Sequence, residues 1–352
     1  MRYFVSGLLT LCALLRFGSF HAFSQNTIEA LWSTSLDFFF DNREYNSVFN
    51  KSQTFFGQRI APEVGVGFDD LHSVMVGAFF LSNYGARPAL SVHDYIAYYR
   101  YQDQRFNCFA GLIPRSKSFV KYSSAFVNDS LYYYDPNISG LLLQYRGNHG
   151  YIELGVDWHS MYSKIDREKF LLFMGSQIWF HSFYAGMHAN IYHFSHSRIH
   201  DGVVDNMLIY PHIGIDLSSA SHFELFDIRA GWMQAFQNDR KYVGKYVFPK
   251  GLQFEIQLEK WRFGINNTFY TGQNLMPHWI APVPDLDYGA GLYWGDPFYR
   301  TDSIYDRLEI YWQPHIGDRL SLRISTVHHY DGSCWSWQQK VRFLVNLGRN
   351  RW

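Results

Sequence analysis

The stretch Tyr192-His193-Phe194-Ser195-His196-Ser197 carries the residue types of a base-activated nucleophile. A spacing of two puts His193 and Ser195 on the same face of an extended chain, where an imidazole could take the proton of a serine hydroxyl. The orienting third group would be Asp205, the candidate nearest the next strand. The same stretch offers metal donors: His193, His196 and His200 with Asp201 and Asp205, and a second set in His328-His329-Tyr330-Asp331. Imidazole and carboxylate would suit zinc or copper if the loops converged. Nothing in the spacing fixes a ligand geometry, and His-Glu-x-x-His is absent, so no metal is expected. No phosphate-binding glycine loop, Gly-x-Ser-x-Gly elbow or cysteine cluster occurs, so no cofactor is expected and the common soluble hydrolases have no support.

These residues need a scaffold, and the composition narrows it. The 352 residues hold 31 basic and 31 acidic side chains and are 19% aromatic. A balanced charge lacks the basic footprint of nucleic-acid binding, so no nucleic-acid partner is expected. So aromatic a chain can bury surface, which argues against disorder. Residues 1–24 combine an early Arg2, an apolar run from Phe4 to Leu15 and Ala22-Phe23-Ser24, and read as a cleaved secretory signal. One domain, 25–352, follows.

Beyond that signal the pattern has period two, the mark of strands with unlike faces. Ile152, Leu154, Val156 and Trp158 alternate with Tyr151, Glu153, Gly155 and Asp157, and Leu252 to Leu258 alternate with Gln253 to Glu259. The reading predicts sixteen strands: 30–40, 57–67, 72–82, 91–100, 105–113, 139–146, 150–158, 171–180, 183–193, 209–217, 223–232, 250–258, 261–270, 305–313, 319–327 and 336–347. Many are 9–11 residues long, enough to cross a bilayer at a tilt, and long connections alternate with short ones. Trp158, Trp232, Trp261, Tyr270, Trp312 and Trp337 fall at strand ends, where an interfacial girdle would sit.

Together these features resemble a bacterial outer-membrane β-barrel of the porin-like type. The fold expected is all-β: one up-and-down antiparallel transmembrane barrel of about sixteen strands, with long extracellular loops and short periplasmic turns. The resemblance implies the outer membrane of a Gram-negative bacterium, contact with its lipid and lipopolysaccharide, and passive passage of small hydrophilic solutes. The pattern does not fix the oligomeric state.

By parity the lumen receives the acids Asp37, Glu153, Asp157, Glu255, Glu259 and Glu309, and the bases Arg307, Arg319, Arg323, Lys340 and Arg342. They would line a pore, or pair across strands. The long loops 114–138 and 271–304 either fold inward as a constriction or lie on the outer rim. In the second case Tyr132-Tyr133-Tyr134 and Tyr293 to Tyr299 would suit stacking on sugar rings. The alternatives to a pore are a surface-binding or assembly barrel with a loop-plugged lumen, and an enzyme. Parity sends His193 and Ser195 outward, and this His-x-Ser is similar to that of outer-membrane phospholipase A and the lipid A deacylases. That likeness implies a serine-type lipid acyl hydrolase, with Ser195 as nucleophile and His193 as base.

Overall fold

The computed structural model describes residues 28–349 apart from 89, 284 and 285; the expected signal, 1–24, lies outside them. Sixteen antiparallel strands close into one barrel, each paired with its sequence neighbours and the last with the first. They are β1 Glu29–Glu44, β2 Gln53–Gly67, β3 His72–Asn83, β4 Leu90–Gln102, β5 Phe106–Pro114, β6 Asn137–Arg146, β7 Gly150–Ser160 and β8 Lys169–Phe180. The second half is β9 Phe183–Phe194, β10 Val204–Asp216, β11 Leu225–Asp239, β12 Lys250–Lys260, β13 Phe263–Gly272, β14 Ile304–Trp312, β15 Leu320–Tyr330 and β16 Trp335–Arg349. Thirteen residue pairs, Trp32↔Arg349 to Glu44↔Trp337, seal the seam. Closure leaves no strand edge unpaired, which a lipid environment requires.

All sixteen predicted strands are present in the predicted order. Several run further toward the long-loop rim than the alternation suggested: β1 reaches Glu44, β10 begins at Val204 and β11 ends at Asp239. Past the girdle there is no lipid to enforce an apolar outer face, so strand pairing continues where the pattern fades.

Side chains sort by parity. Trp32, Ile60, Val64, Val76, Leu252 and Phe254 are exposed on the outer wall, whereas Asp37, Glu153, Asp157 and Gln253 are at most 1% exposed on the inner one. In a soluble sandwich these assignments would be reversed. Trp158, Trp232, Trp261, Trp312 and Trp337 face outward, as a girdle needs. Tyr270 does not belong to it. It is fully buried on the lumen side, its hydroxyl donating to the Gln273 carbonyl at 2.6 Å. Its even parity on β13, shared with Gly264, points inward.

The last external hairpin turns at Asp331 to Cys334. Gly332 takes φ +92°, and Asp331 Oδ1 accepts from the backbone N–H groups of Ser333 and Cys334. Cys108 and Cys334 are not joined in a disulfide.

Candidate functional site

Two loops occupy the lumen. The first, 115–136, leaves β5 and carries a short helix, α1, Asp129–Tyr134, capped by the Asn128 side chain, which accepts from Leu131 N–H. The second, 273–303, joins β13 to β14. The first loop crosses between opposite walls. Arg115 Nη2 donates to Asp157 Oδ2 on β7 at 2.7 Å, while Lys340 Nζ on β16 reaches Asp129 Oδ2 at 2.7 Å. Arg59 on β2 donates to the Tyr132 carbonyl at 2.8 Å. Glu153 on β7 accepts from Ser118 Oγ at 2.6 Å, Phe119 N–H at 3.0 Å and Tyr122 OH at 3.1 Å.

The second loop is tied to β10, β11 and β12. Gln237 Nε2 donates to the Leu275 carbonyl, Asn206 Nδ2 to the Leu292 carbonyl, and Tyr299 OH to Gln253 Oε1. The loops bond each other as well: Asn128 N–H to the Trp294 carbonyl at 2.8 Å, and Asp296 N–H to the Ser124 carbonyl at 2.7 Å. Apolar packing completes the plug. Phe126, Leu275, Met276, Leu292, Tyr293 and Phe298 pack with the inward Tyr192, Phe194, Met233 and Tyr270, and Phe39 stacks on Tyr133 at 4.4 Å.

This placement decides the loop question raised above. Both loops fold inward, and Tyr293, Phe298 and Tyr299 are at most 4% exposed, so the 293–299 stretch offers no aromatic platform for sugars. A sign of the plug was present in the sequence: Phe39, Phe79, Leu171 and Phe173 break the polar parity of the inner wall. Parity alone could not say what covered them.

Of the eleven charged residues predicted for the lumen, ten stand at inward strand positions, most of them engaged, and one borders the lumen at its short-turn end. Asp37 is shared by Arg59 and Arg342; Asp157 is bound by Arg115; Glu309 pairs with Arg307 and Arg323; Glu255 pairs with Arg229; Glu259 accepts from Tyr311. Arg319 stands in the β14–β15 turn, exposed at the short-turn rim.

At the long-loop rim, β9 carries His193 outward, stacked on Phe170 at 4.6 Å, with Phe170 stacked on Trp158 at 4.8 Å. Asp205 is the cross-strand partner of His193 and is held by Arg240, at 2.7 and 2.8 Å, and by Tyr246 OH at 2.9 Å. Ser195 lies just past the strand end and is 6% exposed. Its hydroxyl contacts His196 Nδ1 at 3.1 Å. His196, itself exposed, packs edge-on to Tyr162. The strand ends at Phe194, so the two-residue rule linking His193 to Ser195 no longer applies, and the imidazole that Ser195 meets belongs to His196.

The histidine-rich segments do not gather into a metal site. His329 is buried in the wall, stacked on Phe298 at 4.6 Å with Nδ1 2.9 Å from Tyr305 OH. Among the described residues the donors close enough for a cation are Asp135, Asp157 and His159. The Arg115 guanidinium already spans both carboxylates, at 3.4 and 2.7 Å, and supplies the positive charge there.

Comparisons with known proteins follow this geometry. The fold is similar to that of OmpT of Vibrio cholerae lacking loop L8, an outer-membrane protein: 8% identity over 92% of this chain and 100% of that one, TM-score 0.54. It is similar to OccK3 (OpdO) of Pseudomonas aeruginosa, at 9% identity over 91% and 96%, TM-score 0.53. An OccD1 (OprD) variant gives 11% identity over 92% and 96%, TM-score 0.50. Identities this low speak to fold alone. No curated protein sequence matches. The family described as lipid A 3'-O-deacylase-type matches residues 32–343, nearly the whole barrel. The molecule is thus an outer-membrane β-barrel, and the chain belongs to the lipid A 3'-O-deacylase-type family.

Proposed function

We propose that the protein hydrolyses an acyl ester of outer-leaflet lipid of the lipid A class at the outer ends of β7–β10, and that its lumen is a braced support rather than a conduit. The observation that carries this reading is the contact between Ser195 Oγ and His196 Nδ1, at the lipid-facing rim beside the Trp158–Phe170–His193 row. His196 takes the Ser195 proton as Oγ adds to the ester carbonyl. The alcohol leaves with that proton, and water then releases the acyl group from Ser195. His193, on the outer wall opposite Asp205, positions the lipid. Lys164, Arg198 and Lys241 on the adjoining loops supply cations for an anionic headgroup. The charged lumen residues, in this reading, seat the plug.

Mass spectra of lipid A from cells producing the wild type, Ser195→Ala and His196→Ala test it. Loss of one acyl chain with the wild type and intact lipid with both variants is the expected result; identical spectra from all three would refute it. A second reading, passage of small solutes, is favoured by a cavity of about 840 Å³ opening toward the short-turn rim. Ion-current steps from the wild type in planar bilayers would support it, and a silent bilayer would end it.

A further inference from the structure

The underside of the plug and the lower half of the wall enclose that cavity of about 840 Å³, within the range of about 300–1,000 Å³ usual for ligand pockets. Its mouth lies at the short-turn rim, among Ser33 at the start of β1, Asn346 near the end of β16 and Arg319 in the β14–β15 turn. Its roof is apolar: Phe79, Ile96, Val120, Ile138 and Phe173 line it, all but Val120 from the wall beside the plug. Val120 is pressed onto the wall at Gly175, where an added Cβ would stand 2.6 Å from Val120 Cγ1, so the roof is seated on β8.

Between mouth and roof the charges do not balance. Arg59 and Arg342 both line the cavity and share a single carboxylate, Asp37, at 3.0 and 2.7 Å. Arg342 spends Nε and Nη2 on Asp37 and leaves 41% of its side chain exposed. The trio therefore presents one uncompensated positive charge to the cavity. Lys121, on the plug, and Arg319, at the mouth, are also cavity-lining and exposed. The acids on the same surface are Glu63, which accepts from Tyr98 OH, and Asp318 in the exposed turn. A low-dielectric wall around an unbalanced guanidinium pair concentrates a positive potential.

We infer that this vestibule binds a single-chain anionic amphiphile, a long-chain fatty carboxylate, entering from the periplasmic side. Its carboxylate completes the charge of the Arg59–Asp37–Arg342 trio, and its alkyl chain lies against Phe79, Ile96, Val120 and Phe173 under the plug. Guanidinium matches a carboxylate with two parallel N–H bonds, which favours Arg342 as the anchor. This site is separate from the rim serine, on the other membrane face, so its failure would leave the acyl-ester reading untouched.

The test is photo-crosslinking of the full barrel in phosphatidylcholine nanodiscs with diazirine-tagged palmitic acid, followed by peptide mapping. Adducts are expected on the plug segment 117–122 and on Phe79, with the methyl ester of the same probe labelling them about tenfold less, the loss of one charge-assisted pairing. Arg342→Gln leaves Arg59 and Asp37 balanced one to one and is expected to weaken labelling by a similar factor. Ala61→Trp, which fills the cavity from β2, is expected to abolish it. Arg319→Glu, in an exposed turn, gives a reduced signal in a variant that disturbs no wall packing. Heat-modifiable electrophoretic mobility confirms that each barrel is closed. Ser195→Ala is expected to label like the wild type. Adducts confined to outward residues such as Ile60 and Val76, equal labelling by acid and ester, or labelling unchanged in Arg342→Gln and Ala61→Trp would each overturn the inference.

Discussion

Replacing Glu153 by Ala is expected to release the first half of the plug. The carboxylate is fully buried and takes four hydrogen bonds, three of them from the loop: Ser118 Oγ, Phe119 N–H and Tyr122 OH. The fourth comes from Gln144 Nε2 at 2.7 Å, whose other bond holds the Lys117 carbonyl. Hydrogen bonds to a charged acceptor contribute about 1.5 kcal/mol each at the lower end, so three give about 4–5 kcal/mol. That would raise the released population about a thousandfold. Alanine also leaves the loop donors without a buried partner, which adds to the cost of staying docked. Limited trypsin digestion reads the change directly, because Arg115, Lys117 and Lys121 all lie on this segment. Wild type should resist, and Glu153→Ala should be cut within 115–121 and give ion-current steps in planar bilayers. A closed Glu153→Ala barrel that remains uncut and silent would refute the idea that this carboxylate seats the plug.

Other outcomes follow from the same geometry. Gly175→Leu, which drives a side chain into Val120, should expose the same tryptic sites, while Gly175→Ala should do so more weakly; equal resistance in both would contradict the close contact. Asp296, on the second loop, has its carboxyl pushed from 3.8 to about 6 by burial, with Asp129 adding and Arg307, Arg43 and the Phe298 N–H opposing. Since the docked loop prefers the protonated acid, docking is firmest below about pH 4, loses up to about 3 kcal/mol as pH rises through 6, and is level above about pH 7. Trypsin resistance should therefore fall from pH 4 to pH 7 in the wild type and stay flat in Asp296→Asn, which keeps the acceptor for Phe298 N–H. Lys117, on the plug, also lines the vestibule; burial lowers its ammonium to about 8, with Arg100 adding and Glu63 opposing, so labelling by the fatty-acid probe should weaken as pH climbs through 8. A pH-independent yield between 7 and 9 would exclude Lys117 from the anion's surroundings.

The barrel was legible because lipid writes its demand onto every second residue of each strand, and a one-residue slip would reverse both faces. That constraint ends at the interface. It could not place the outer ends of β10 and β11, nor tell that Tyr270 belongs with the inner row. The plug was less legible, since its partners lie far apart in sequence: Ser123 with Gln253, Arg115 with Asp157, Asp129 with Lys340. Only inward apolar residues such as Phe39 and Phe173 carried a local trace of it. At the rim, strand spacing joined His193 with Ser195. The strand stopped one residue too early for that spacing to hold, and His196 took the position.

The two interlocking loops come from hairpins on different sides of the cylinder, and their bonds run from Asn128 to Trp294 and from Asp296 to Ser124. Such a strut fixes the cross-section: squeezing the wall toward an ellipse would have to break it. It also couples two steps of assembly, because neither loop meets its mate until both of their hairpins have been laid down. Until then the nascent cylinder holds a half-built brace, and stiffness arrives only when both hairpins are in place.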